Sequence, residues 1–224
     1  MLQVLTVSVI RDLLVLLGHN RDFFQLAREG KSSRLKMALG QSYPSIFADY
    51  LLKMSEKEFF HDLKASVGFL KNKSLDADNG FFKAIIKYIA EEFAYLIDDL
   101  DDDFFFTDLK KRHEYLAKIF PHQNFLAQNL SELIAFSTYQ ELNELCYQAL
   151  AQICDSRLII VQSPIQIIGV LKKDIRKYFL DKYAYSFVDF RVEKDIIGGV
   201  RIVSAGDVDD YSWADKIKKL SLKV

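Results

Sequence analysis

Apolar residues recur at helical spacing through much of the chain. Phe59, Phe60, Leu63, Val67 and Leu70 line one helix face, and Phe81, Phe82, Ile85, Ile86, Ile89, Phe93, Leu96 and Ile97 line another. The same period returns at Leu133, Ile134, Leu142, Leu145, Cys146, Ala149, Leu150 and Ile153. Four to six helices are expected before residue 155, enough for a bundle. The texture then changes. Leu158, Ile159, Ile160 and Val161 make a branched apolar run of strand length, closed by Ser163 and Pro164, a pair that suits a helix N-cap and first position. The helix expected there carries Ile165, Ile168, Leu171, Ile175, Phe179 and Leu180 on one side. Lys172, Lys173, Arg176 and Lys177 fall mostly on the other, and this charged face is expected to meet water.

Tyr183, Tyr185 and Phe187 alternate, and after a change of phase Val188, Phe190 and Val192 alternate again, which reads as a strand with a bulge. Ile196 and Ile197 lead to Gly198 and Gly199, and Val200, Ile202 and Val203 resume a strand. Asp209, Asp210 and Ser212 can cap a last helix whose apolar positions are Trp213, Ile217 and Leu220. The expected fold is therefore mainly α with a C-terminal α/β part: a multi-helix bundle over 1–155, then a small β-α-β-β-α domain over 156–224.

Composition supports an ordered chain rich in helix. Half of the 224 residues are hydrophobic and 27% are charged, with only 9 Gly and 3 Pro to break long elements. The formal charge of −1 gives no global field for nucleic acid or an anionic membrane. From Lys172 onward there are 12 Lys and Arg against 9 Asp and Glu, and before it 18 against 22, a small asymmetry that suggests salt-sensitive contacts at most. Cys146 and Cys154 read as free thiols in an apolar helix, as in a reducing compartment. The run 1–18 is apolar but is interrupted by Arg11 and Asp12 and lacks a secretory signal's basic start and cleavage site. It is expected to belong to the folded protein.

The tail carries a family likeness. Ile196-Ile197-Gly198-Gly199-Val200-Arg201-Ile202, then Asp210-Tyr211-Ser212 and a final amphipathic helix, resemble in order and spacing the end of the delta subunit (OSCP) family of F-type ATP synthases. Leu158 to Pro164 is similar to that family's first strand and turn, and 129–153 to the last helix of its bundle. The likeness covers 157–220 well, covers 43–156 in helical pattern alone, and leaves 1–42 as an unassigned lead-in. The Phe-rich bundle departs from the family's usual composition.

The resemblance implies a non-catalytic stator, with no cofactor and no metal. The bundle would grip N-terminal segments of the head's α subunits, and the C-terminal domain would hold the b-type stalk helix. The complex would lie on the cytoplasmic, inner face of an energy-coupling membrane and support proton-coupled ATP synthesis. Gly198, Gly199, Asp210 and Ser212 would then be structural motif residues, and Trp213 a core or partner residue of the last helix.

Other chemistry is harder to place. Gly198-Gly199 fits neither a G-x-x-x-x-G-K-[ST] phosphate loop, nor G-x-G-x-x-G, nor the GXXG of a KH domain, so a turn needing positive φ or close packing is expected. The run Asp98, Asp99, Asp101, Asp102, Asp103 lacks the Gly and Glu of an EF-hand and reads as a solvated turn. Phe104, Phe105 and Phe106 cannot all enter one helical core, which leaves core packing and partner contact both open. The four histidines show no metal-ligand spacing. Two alternatives remain: an E-like stalk subunit of a V/A-type ATPase, which lacks support from any long charged opening helix, and a small enzyme such as a hydrolase, with a cleft between bundle and α/β domain.

Overall fold

The computed structural model describes residues 1–72, 79–100, 102–121, 124–183 and 185–216. Its first helix, α1 (Leu2–His19), is no lead-in: Leu2, Leu5, Val9, Leu13 and Leu16 are buried and belong to the same core as the later helices. By length and composition α1 is apolar enough to cross a membrane, contrary to the expectation drawn from Arg11 and Asp12, and half of it is buried within the protein. The bundle continues through α2 (Arg28–Leu39), α3 (Ser45–Lys53), α4 (Glu56–Asn72) and α5 (Gly80–Lys87). A wide turn over Tyr88–Phe93 then leads into α6 (Ala94–Asp99). Four further helices follow: α7 (Asp102–Phe106), α8 (Leu109–Ile119), α9 (Phe125–Phe136) and α10 (Tyr139–Ile153). The bundle thus has ten helices among the described residues, more than the four to six expected, because several are only two or three turns long.

Side chains specify where these short helices begin. Asn79 accepts from the Phe81 and Phe82 amides at the start of α5, Asp108 caps α8, and Asn124 caps α9. Thr138 and Glu141 form a reciprocal capping box on α10. Two carboxylates tie helices together. Asp62 of α4 accepts from Tyr50 Oη at 3.0 Å, Asn79 Nδ2 at 3.1 Å and the Phe81 amide at 3.2 Å. Asp12 of α1 accepts from the Phe125 and Leu126 amides, at 2.7 and 3.1 Å, and so completes the N-terminus of α9 from 113 residues away.

The C-terminal unit is a mixed four-stranded sheet in the order β2-β1-β3-β4. β1 (Arg157–Ser163) and β2 (Ser186–Val192) are parallel, joined by α11 (Gly169–Lys182), and pair from Arg157↔Ser186 to Ser163↔Val192. β3 (Arg201–Ser204) runs antiparallel to β1, and β4 (Asp207–Asp210) pairs with β3 across a tight turn at Ala205 and Gly206, both with positive φ.

Three local expectations change here. α11 starts at Gly169, because Ser163 Oγ bonds to the Ile165 carbonyl and holds 163–165 as a turn. Tyr185, with φ +59, lies in a turn before β2, and the expected bulge between Phe187 and Val188 is absent from β2, which pairs with β1 without interruption there. Finally, the Asp-rich 207–210 segment is an edge strand and not a helix cap run. Its acidic side chains protect the open edge from pairing.

The two units share a core. Ile159, Val161, Ile167, Phe179, Val188 and Phe190 form a small cluster between sheet and α11. On the other face Phe187 enters the bundle core, with Leu158 and Leu180 packed against it. β2 is therefore buried on both faces from Ser186 to Phe190, which explains the lack of clean alternation in its sequence.

Candidate functional site

Two surfaces and one junction stand out. The first surface lies on the outer side of α1, where Val4, Val7, Leu14 and Val15 are all exposed although Leu5, Val9, Leu13 and Leu16 face the core. A helix apolar on both sides, at the edge of a bundle, leaves one of them without a partner.

The second surface lies on the C-terminal unit. Ile165, Ile168, Val170 and Leu171 are exposed around the start of α11, Val170 at 71%, while Lys172, Arg176 and Phe179 are buried. The expected orientation of this helix holds for Phe179, Ile175, Leu180 and Lys177 but not for the rest: Ile168 and Leu171 meet water, and Lys172 and Arg176 face inward. The physical reason is on the bundle. Asp98, at the end of α6, is buried, and Arg176 is the counter-charge that can reach it.

The acidic run is accordingly not one solvated turn. Asp98 pairs with Arg176 and Asp99 with Lys173 at 2.6 Å, and Asp103 is exposed. Asp101 lies outside the described residues. Arg176 donates from Nε to Asp98 at 2.6 Å, and from Nη2 to Asp98 at 3.1 Å and to Asn143 Oδ1 at 2.9 Å. Its Nη1 donates to the Val188 carbonyl, and its guanidinium lies over the rings of Phe187 and Phe190. Asp98 also accepts from Tyr139 Oη at 2.8 Å. Burial works to lower the Arg176 pKa, but the Asp98 charge and hydrogen bonds outweigh it and the net shift is upward.

A cleft of about 640 Å³ opens beside this junction, between α7, the start of α10 and the C-terminal ends of β1 and β2. Phe105, Phe106, Tyr139, Ile167, Lys172 and Phe190 contribute to its walls, and Lys172 Nζ sits 3.9 Å from the centre of the Tyr139 ring. The Phe triplet divides as its geometry requires. Phe104 is buried against Tyr115, Phe105 packs edge-on to Tyr139, and Phe106 is 87% exposed at the rim.

The glycine motif closes the sheet onto the last turn. Gly198 and Gly199 have φ +65 and +76. A β-carbon on Gly198 would lie 2.8 Å from Trp213 Cδ1, and one on Gly199 2.4 Å from the Tyr211 carbonyl oxygen. Asp210 accepts from the Ser212 amide at 2.8 Å, and Ser212 Oγ accepts from the Asp215 amide at 3.3 Å, so Ser212 is the N-cap of the helix that begins at Trp213. Trp213 itself is 63% exposed, with its ring laid over Gly198, and so is not the core residue expected of an amphipathic last helix. Ile217 and Leu220 lie outside the described residues. Ile197 and Tyr211 are exposed beside it.

Perturbed titratable groups are bound up in packing. Burial raises Asp12 to about 6 against the opposing effect of its two amide donors, and pushes the Cys146 thiol up to about 12. Burial and the Asp98 charge raise the Tyr139 phenol, and burial foremost raises Tyr43, Tyr50 and Tyr88. Among the described residues no group of three His, Cys, Asp or Glu side chains is placed to hold a metal ion. Sequence reasoning missed Asp98, Asn143 and Arg176 as a unit. The signal that would have found it is the stripe Gly169, Lys172, Arg176, Phe179, which is as regular as the apolar one. No family model matches the chain, and no curated protein matches it.

Proposed function

We propose that the chain is a peripheral-stalk subunit of an F-type ATP synthase or of a diverged rotary ATPase, a protein that holds two partners and catalyses nothing itself. The observation that carries this reading is the distribution of apolar and polar groups. Apolar side chains face outward on α1 in the bundle and on α11 and around Trp213 in the C-terminal unit, while the buried Asp98, Tyr139, Asn143 and Arg176 satisfy one another. Outward apolar stripes on helices are what amphipathic partner helices bind. In this reading the α1 face takes an N-terminal segment of a head α subunit. The C-terminal unit takes the end of a b-type stalk helix, and the Gly198-Gly199 turn and the Ser212 cap shape its surface. Proton-coupled ATP synthesis would depend on the contact without passing through any residue of this chain.

The test is copurification of the tagged full-length chain from its native source. Recovery of the α and β head subunits with a b-type subunit supports the reading; a folded chain that brings down none of them overturns it. The cleft beside Tyr139 and Lys172 favours a second reading, a small enzyme working between bundle and α/β unit. Turnover lost in Lys172→Met, with the fold and the head contact intact, would establish that one instead.

A further inference from the structure

We infer that Asp98 and Arg176 are positioning residues, which fix the orientation of the C-terminal unit on the bundle so that the molecule moves as one rigid body. The purpose assigned to this joint rests on the stator reading; its geometry does not. Four elements meet at it: α6 through Asp98, α10 through Tyr139 and Asn143, α11 through Arg176, and β2 through the Val188 carbonyl. Both carboxylate oxygens of Asp98 and three nitrogens of Arg176 are engaged, with Arg176 only 1% exposed.

A second feature of the seam points the same way. Gly169, the first residue of α11, lies so close under the end of α6 that a β-carbon there would be 2.6 Å from the Asp98 carbonyl oxygen. Lys173, one turn on, reaches Asp99 at 2.6 Å. Helix and helix end are thus matched at three successive points, Gly169, Lys173 and Arg176.

Apolar contact alone would hold the units together over a range of angles, because dispersion and hydrophobic burial are non-directional. A buried, multiply bonded charge pair differs. It adds little net stability over apolar isosteres, yet any rotation that separates its members leaves charges unpaired in the interior, so it selects one geometry. For a protein joining a head to a stalk, such a joint transmits load between the two docking surfaces without bending.

The experiment measures orientation in the free full-length protein, with no partner present. Spin labels are placed at Met37→Cys on α2 and Val208→Cys on β4, both exposed, in a Cys154→Ser background, with Cys146 buried out of reach. Pulsed electron resonance should give a single narrow distance peak in the wild-type joint. In Arg176→Lys, which keeps the charge but loses the planar fork, the peak should broaden or split while far-ultraviolet circular dichroism is retained. A broad wild-type distribution, or an Arg176→Lys peak as narrow as wild type, overturns the inference. If Arg176→Lys fails to fold, Asp98→Leu combined with Arg176→Met removes the pair without stranding a charge and reads the same quantity: broadening supports the joint and an unchanged width overturns it. Copurification tests the stator reading separately, so the two failures are distinguishable.

Discussion

α10 and α11 are neighbouring helices of 15 and 14 residues that treat the same periodicity rule differently. α10 obeys it: Leu142, Cys146, Ala149, Leu150 and Ile153 are buried along one face, behind a capping box. α11 buries Lys172, Arg176 and Phe179 and turns Ile168, Val170 and Leu171 outward. The difference lies in what each helix packs against. α10 packs chiefly on apolar neighbours and meets the buried pair only through Tyr139 and Asn143 at its start, so its least polar face wins. α11 is wedged between a sheet and a bundle surface that contains a buried carboxylate. Leaving that charge unpaired would cost about 3 to 5 kcal/mol, more than the roughly 1.5 to 3 kcal/mol gained by burying one further aliphatic side chain, so the cation decides the rotation.

The strongest way to break this comparison is to remove each anchor. Arg176→Ala should destabilise the protein by about 3 to 5 kcal/mol, because it strands Asp98. Leu150→Ala in α10 should cost about 2 to 5 kcal/mol through its cavity. Asp98→Leu combined with Arg176→Met should recover most of the first loss, since apolar isosteres often replace a buried pair without penalty. Urea denaturation of the three variants checks this. An Arg176→Ala variant as stable as wild type would show that the buried face of α11 is not held by its charge.

The same contrast explains how much could be read from the sequence. Helices packing on apolar surfaces were legible as elements: the stripes at 59–70, 81–97 and 133–153 fall on α4, on α5 with α6, and on α9 with α10, although in α4 Phe60 and Val67 are exposed and the buried positions are Phe59, Asp62, Ser66 and Phe69. The bundle followed by a small mixed sheet was legible too. The orientation of α11 was not, because its partner charge lies 78 residues away and is set by tertiary packing. β4 was hidden by an Asp-rich composition that disfavours strands and is tolerated at a sheet edge. The short linear pattern of 196–212 did carry the turn's glycines and the Ser212 cap. It could not place Trp213 outside, since a side chain over a glycine is visible only once the two segments meet.

Glycine substitutions sharpen the comparison at an intermediate scale. Gly199→Val combines a β-branched residue at φ +76 with a clash on the Tyr211 carbonyl, and should cost about 3 kcal/mol. In most helices Gly→Ala gains up to about 1 kcal/mol. Gly169→Ala should instead lose about 1 to 3 kcal/mol, because the added carbon meets the Asp98 carbonyl. Thermal denaturation of both, beside Gly68→Ala in α4 where the space is open and the backbone helical, distinguishes close packing from propensity. A stabilised Gly169→Ala would mean that α11 can slide away from α6.

Asp12 offers a carboxylate to set against Asp98, since it is paired with amides and not with a cation. Its pKa is raised from 3.8 to about 6, so the folded state holds its proton more tightly than the unfolded chain does. The sign follows: the native state is favoured below about pH 4, and this contribution is lost as pH rises through 6. Asp12→Asn should abolish that decline, worth up to about 2 kcal/mol across the window once residual hydration is allowed for, against a constant loss of one amide acceptor. The difference between variant and wild-type stability, followed from pH 4 to 7, is the measurement. A difference that does not change with pH would mean that the site stabilises the carboxylate fully.

The smallest effect on folding is expected on the outward side of α11, and there stability and binding should move in opposite directions. Ile168 is the N-cap of α11, makes no side-chain cap bond and is exposed. Ser at such a position accepts from a free amide of the first turn and is typically worth about 1 kcal/mol. An isoleucine there gives up that contribution and leaves an apolar side chain in water. Ile168→Ser should therefore raise the unfolding midpoint slightly. Val170→Ser, on the same exposed side, should change stability by less than about 0.5 kcal/mol. If the α11 face receives the b-type stalk helix, both variants should weaken capture of a synthetic helix of that kind by the full-length protein, and the double variant more than either. The control is Leu14→Ser on the outer face of α1, which should leave stalk binding unchanged and weaken the head contact. Ile168→Ser and Val170→Ser proteins that are folded, as stable as wild type and undiminished in stalk binding would move the stalk contact away from α11, leaving the Ile197, Tyr211 and Trp213 patch as the surface to test next.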